Sequence, residues 1–189
     1  MNKYQNKYRI PSARLQNWDY GAMGAYFVTI CTQNREHFFG DIVETHSNAS
    51  VQKEMILNDL GKKVEEEWLK TIELRPDMNL ELGNFVVMPN HFHGILIIGE
   101  NEFNLDTSKI NQFGPQSKNL GAIIRGFKSA VTTFARRDAL QCVFTKNCSN
   151  FGWQPRFHDH IIRNSVEFER IQNYIENNPS NWKEDKFYK

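Results

Sequence analysis

The chain has 189 residues, 40% of them hydrophobic, which is enough for one domain with a buried core. Its net charge of +1 excludes a polycation but not a basic stripe on a balanced total. No apolar run approaches the ~18 residues a membrane span needs, and the N-terminus lacks the basic-then-apolar order of a secretory signal. Cys31, Cys142 and Cys148 fit neither a zinc site nor a disulfide framework, so a reduced, cytoplasmic protein is expected.

Residues 1–20 lack periodicity and predict an extended arm, with Pro11 disfavouring helix. Up to Arg35 the chain carries Lys3, Lys7, Arg9, Arg14 and Arg35 against Asp19 alone, with Tyr4, Tyr8, Trp18 and Tyr20 interleaved. Tyr26 to Thr32 is rich in β-branched and aromatic residues and predicts a strand; His37 to Val43 predicts a short ribbon turning at Gly40-Asp41. From Gln52 to Leu74 the period becomes helical, with Ile56, Leu60, Val64 and Trp68 on one stripe and Pro76 as the limit. Leu80 to Met88 and Phe92 to Ile98 are apolar runs joined at Pro89-Asn90, hence two adjacent buried strands. Glu100 to Lys118 is polar and aperiodic, a loop. Leu120, Ile123, Ile124, Phe127, Val131 and Phe134 mark a second helix ending near Arg136, and its Arg125, Lys128, Arg136 and Arg137 make a second basic stretch. Gly152 to Ile162 contains another strand. Asn164 with Glu167 forms a capping-box-like start for a third helix through Phe168, Ile171 and Ile175, stopped by Pro179.

This order predicts an α+β fold of ferredoxin-like βαββαβ type, an antiparallel sheet with helices on one face and an extra C-terminal helix. Residues 21–182 would form the domain, and 183–189 a tail.

Chemistry enters with His91-Phe92-His93. Alternation on a strand turns both imidazoles to one face, about 7 Å apart at Cα, where they can converge on a divalent ion while Phe92 anchors the other face. By itself His-x-His is a weak signal, more often met by one structural and one solvent-facing histidine. Tyr174 and Asn178, four apart, share a face of the last helix and flank its apolar stripe. Alone they read as a boundary aromatic and a C-terminal cap. Asn178 precedes proline, which disfavours helical geometry and leaves its aim open.

Taken together, Val86-Val87-Met88-Pro89-Asn90-His91-Phe92-His93-Gly94, Phe157-His158-Asp159-His160-Ile161-Ile162-Arg163-Asn164 and Ile171-Gln172-Asn173-Tyr174-Ile175-Glu176-Asn177-Asn178-Pro179 resemble the blocks of REP-associated tyrosine transposases. These form a branch of the single-tyrosine, insertion-sequence-type transposases with a His-hydrophobe-His motif. Tyr26 to Thr32 and the arm before it are similar to that branch as well. The resemblance runs from about Arg9 to Trp182. It implies an enzyme that cleaves and rejoins single-stranded DNA at repeat hairpins beside a short guide sequence. On it Tyr174 is the nucleophile forming a 5′-phosphotyrosine, and His91 and His93 are metal ligands. Asn178 stands where many relatives have a Gln ligand.

Such chemistry suits these residue types. Two neutral imidazoles and an amide leave a cation most of its charge and its open positions, and Mg²⁺ or Mn²⁺ fits phosphate oxygens. A phenol with pKa ~10 needs a base, which the sequence does not identify. Contacts to DNA are expected from Arg9, Arg14, Trp18, Arg125, Lys128, His158 and His160, in a monomer or homodimer. Two other readings stand beside this one. His158-Asp159-His160 could join the first pair in a hydrolytic site that activates water, or the fold could be a nucleic-acid-binding module without catalysis.

Overall fold

The computed structural model describes residues 15, 18–47, 50–105, 117–141 and 150–188. Strands β1 (Gly24–Cys31), β4 (Leu80–Met88), β5 (His91–Ile98) and β6 (His158–Ile162) form one antiparallel sheet in the order β4-β5-β1-β6. Strands β2 (Gly40–Ser47) and β3 (Ser50–Leu57) pair with each other as a separate ribbon. Helices α1 (Asp59–Glu73), α2 (Leu120–Gln141) and α3 (Ser165–Asn177) complete the layers. This is the expected ferredoxin-like βαββαβ core, with the ribbon inserted after β1 and α3 appended.

Alternation in β5 decides the layering. Phe92, Leu96 and Ile98 join Tyr26, Val28 and Ile30 of β1 under Leu60, Val64 and Trp68 of α1 and Ile123, Phe127 and Val131 of α2, the main core. Ile95 and Ile97 turn the other way, toward Ile171 and Ile175 of α3. Each of these large side chains contributes roughly 1.5–3 kcal/mol by leaving water. Gly94 is fixed by this packing, because a Cβ there would lie 2.8 Å from Phe92 Cζ and 2.9 Å from Trp68 Cζ2.

The first helix begins later than its stripe suggests. Residues 52–57 are strand, with Lys53, Met55 and Leu57 half-buried and Gln52, Glu54 and Ile56 exposed. Asn58 then caps α1, its side chain accepting from Gly61 N at 2.9 Å. Ile56 fits a period of two as well as a period of four, and pairing with Asp41 in β2 wins. Helix α2 also runs past Arg136 to Gln141. Asn164 caps α3 as expected, accepting from Glu167 N at 2.9 Å.

Candidate active site

His91 and His93 open β5, next to the sheet's centre, on the face that α3 covers. Both are buried, at 0% and 1% exposure, with ring centroids 4.5 Å apart. Two neighbours set their protons. The Asn90 amide donates through Nδ2 to the carbonyls of Arg35 (3.2 Å) and Phe187 (2.9 Å), which fixes its orientation and presents Oδ1 to His91 Nδ1 at 2.8 Å. An amide oxygen only accepts, so His91 carries its proton on Nδ1 and a lone pair on Nε2. Thr29 Oγ1 lies 2.8 Å from His93 Nδ1 and can hold that ring in the same tautomer. Such outer contacts are how ligating histidines are oriented.

The C-terminal residues, set apart as a tail by the sequence, fold back over this pair. Past Pro179 a turn brings in Trp182 and Phe187, both buried. The Phe187 ring sits 4.7 Å from His91 and 5.7 Å from His93, and Trp182 sits 5.8 Å from His91. Asp185 enters between them. Its Oδ2 accepts from Tyr174 OH at 3.1 Å and from Asn178 Nδ2 at 2.9 Å, while Oδ1 accepts from Phe187 N at 2.6 Å. Tyr174 OH also lies 3.2 Å from His93 Nε2. Asn178, only 2% exposed, keeps helical φ/ψ of −60° and −44° despite the following proline. Burial and the bond to Asp185 hold it in a geometry proline disfavours.

Two buried atoms in this cluster have no hydrogen-bond partner, His91 Nε2 and Asn178 Oδ1. Both are acceptors, since His91 is protonated on Nδ1 and the Asn178 amide is turned by Asp185. Buried acceptors without a donor are costly unless a cation or water meets them. His91, His93 and Asp185 each offer an atom, all within 4.8 Å of one another, and among the described residues they are the one such group of three. Two imidazole nitrogens and a carboxylate so placed can hold a divalent ion.

The electrostatics agree. Burial, helped by the Lys186 and Arg35 charges, depresses His91 to about 3, and the Asn178 oxygen offsets this only in part. Burial and the neighbouring His91 hold His93 well below its ordinary value. Both are thus neutral, as ligands must be. The Tyr174 hydroxyl is pushed up, first by burial and then by the Asp185 carboxylate beside it.

The other expected contact residues are dispersed. Arg9 and Arg14, with Tyr4 and Tyr8 of the arm, lie outside the described residues. Trp18 is half-buried and donates Nε1–H to Tyr26 OH at 3.2 Å. Arg125 is exposed on α2, in the layer opposite α3. Lys128 is half-buried, with Nζ donating to the Gln154 carbonyl at 2.6 Å. His158 and His160 pair with Thr29 and Phe27, so they share the face of His91 and His93 but stand two strands away, on the edge strand β6. His160 Nε2 is 2.8 Å from Glu167 Oε1. They do not join the His91–His93–Asp185 group.

No family model matches the chain. A protein of Haemophilus influenzae (strain ATCC 51907 / DSM 11121 / KW20 / Rd), itself uncharacterized, is 36% identical over 185 residues, covering 94% of this chain and 92% of that protein. The chain belongs to that protein's family. Among solved structures, a REP-associated tyrosine transposase bound to a REP hairpin is similar at 20% identity and a TM-score of 0.50, over 92% of this chain and 74% of that one. The two share a fold, the one implied by the sequence resemblance. A provisionally named transposase of Deinococcus radiodurans R1 is more distant, at 16% identity and a TM-score of 0.38, over 90% of this chain and 97% of that one.

Proposed function

We propose that this protein is a tyrosine transposase, a metal-dependent enzyme that cleaves and rejoins single-stranded DNA at repeat hairpins through a 5′-phosphotyrosine. One observation carries the reading: the Tyr174 hydroxyl is 3.2 Å from His93 Nε2, beside a buried His91 lone pair that no donor meets. A structural tyrosine has no need of such neighbours.

His91, His93, Asp185 and Asn178 would hold a divalent cation, Mg²⁺ or Mn²⁺, whose chemistry is to stabilise charge on a phosphate's non-bridging oxygens. Tyr174 attacks phosphorus through its phenolic oxygen. Its proton leaves along the hydrogen bond to Asp185 Oδ2, the base that the sequence alone does not identify. The P–O3′ bond breaks, and the departing oxygen takes up a proton to become a 3′-hydroxyl. Because the phosphate stays esterified to Tyr174, a second 3′-hydroxyl can displace the phenol and rejoin the strand, which a water nucleophile would not allow. The strand would run along the α3 face of the sheet, where His158 and His160 stand.

The test uses labelled single-stranded DNA carrying the repeat hairpins that flank the protein's own gene, with Mn²⁺. A covalent protein–DNA adduct should appear on denaturing gels, map to Tyr174, and vanish in Tyr174→Phe while binding survives. Cleavage retained by Tyr174→Phe would point to a water nucleophile and refute the proposal.

A further inference from the structure

A groove of about 720 Å³ opens at the end of β1, lined by Gln33, Asn34, Arg35, Trp153, Gln154 and Pro155. Its size lies in the range of small-molecule sites. Resting on the function proposed above, we infer that this groove receives one unstacked nucleobase of the single-stranded substrate, next to the cleaved phosphate.

Position supports this occupant. Arg35 lies over the Phe187 ring at 5.1 Å, and that ring is 4.7 Å from His91, so the groove is separated from the candidate catalytic site by one side chain. Gln154 N donates to the carbonyl of Cys31, the residue paired with His91 across the sheet.

The lining has the chemistry of base recognition. Gln33 and Gln154 bring side-chain amides with both a donor and an acceptor, and among the described residues neither amide makes a hydrogen bond. Asn34, whose Nδ2 donates to Glu36 Oε1 at 3.5 Å, adds a third amide, and Arg35, which donates to the Lys186 carbonyl at 2.9 Å, adds a cation for the backbone. Trp153 offers an aromatic surface, and a base can stack on an indole whatever its identity.

The groove is also rigid. The Trp153 ring packs 5.3 Å from both Phe39 and Phe151, and its Nε1 donates to the Lys128 carbonyl at 3.2 Å. Lys128 in turn fixes the Gln154 carbonyl, and Gln33 N bonds the Gly152 carbonyl at 2.7 Å. On the opposite wall Asn34 and Arg35 are consecutive non-glycine residues at φ of 56° and 57°. Left-handed backbone of this kind costs about 1 kcal/mol or more per residue and concentrates at ligand clamps.

Photo-crosslinking provides the test. DNA bearing 5-iodo-deoxyuridine at successive positions on either side of the cleaved phosphate is irradiated with the full-length protein, and crosslinked peptides are sequenced by mass spectrometry. One position should crosslink to the peptide containing Trp153. Asn34→Ala with Gln154→Ala should weaken binding of that DNA about tenfold, with a smaller loss when the same position is abasic. Crosslinks that map only elsewhere while wild-type protein forms its Tyr174 adduct would overturn the groove and leave the proposed function standing. Equal affinity of variant and wild type for the intact and abasic strands would overturn it too. If no Tyr174 adduct forms with any strand, the proposed function fails and the groove assignment falls with it, a result distinct from crosslinks that miss Trp153 while the adduct forms.

Discussion

Two neutral histidines buried at the head of β5 make the folded protein sensitive to mild acid. The folded-state values lie below the unfolded one, about 3 for His91 and well below 6.5 for His93. The folded form therefore binds fewer protons than the unfolded chain. Their contribution is fully present above the unfolded value, near 6.5, and is lost as pH falls from there toward the folded values. At pH 5.5 each histidine withdraws about 1.4 kcal/mol, roughly 3 kcal/mol for the pair. For a chain of this size that corresponds to a fall in Tm of about 6–12 °C between pH 7.5 and 5.5. Carboxylates also titrate on the way down, so the decisive quantity is a difference. His91→Asn with His93→Asn removes both imidazoles, and its Tm should change much less over the same interval. Calorimetric scans of metal-free protein at both pH values provide the measurement. Identical pH slopes for wild type and double variant would show that these imidazoles are not held neutral by burial, and the ligand argument would lose its footing.

Two further substitutions probe the supports of the site. Thr29→Val removes the hydroxyl at 2.8 Å from His93 Nδ1. Mn²⁺ affinity, measured by titration calorimetry, should fall about 10- to 100-fold with little change in fold, as for other outer-shell contacts. Gly94→Ala places a methyl group against Phe92 and Trp68 in the main core, and urea unfolding should show a loss of about 1–3 kcal/mol. An unchanged midpoint would mean that the packing behind the histidine strand has room to give.

The parts legible in the sequence are those governed by local pattern. His91-Phe92-His93 gave its two faces through strand alternation alone, and Leu60, Val64 and Trp68 mark the buried stripe of α1 in any window that contains them. Ile56 misleads for the same reason, because one apolar residue satisfies two periods, and only the capping position of Asn58 separates them. Asp185 was not legible. It reaches Tyr174 by a fold-back of eleven residues through Pro179, and no local rule relates the two. The available signal is compositional: Phe187-Tyr188 is an aromatic pair in the otherwise polar stretch 183–189, which an unpacked tail would have little reason to carry. The tautomer of His91 was likewise beyond the sequence, since it depends on carbonyls of Arg35 and Phe187 meeting one amide.

That fold-back gives residues 182–188 two opposed effects. Asp185 brings a carboxylate to the tyrosine and the histidines, while Phe187 lays an aromatic ring against both imidazoles. Deleting the segment removes both at once and cannot separate them. Point substitutions can. Phe187→Ala should expose the histidines, speeding both their modification by diethyl pyrocarbonate and the formation of the Tyr174–DNA adduct. Asp185→Asn keeps the cover and an acceptor for Phe187 N but loses the charge, so adduct formation should slow severalfold or more and Mn²⁺ affinity should drop. Were Phe187→Ala to leave histidine modification and adduct formation at wild-type rates, the ring would not be a barrier. The C-terminal segment would then contribute to the site only through Asp185.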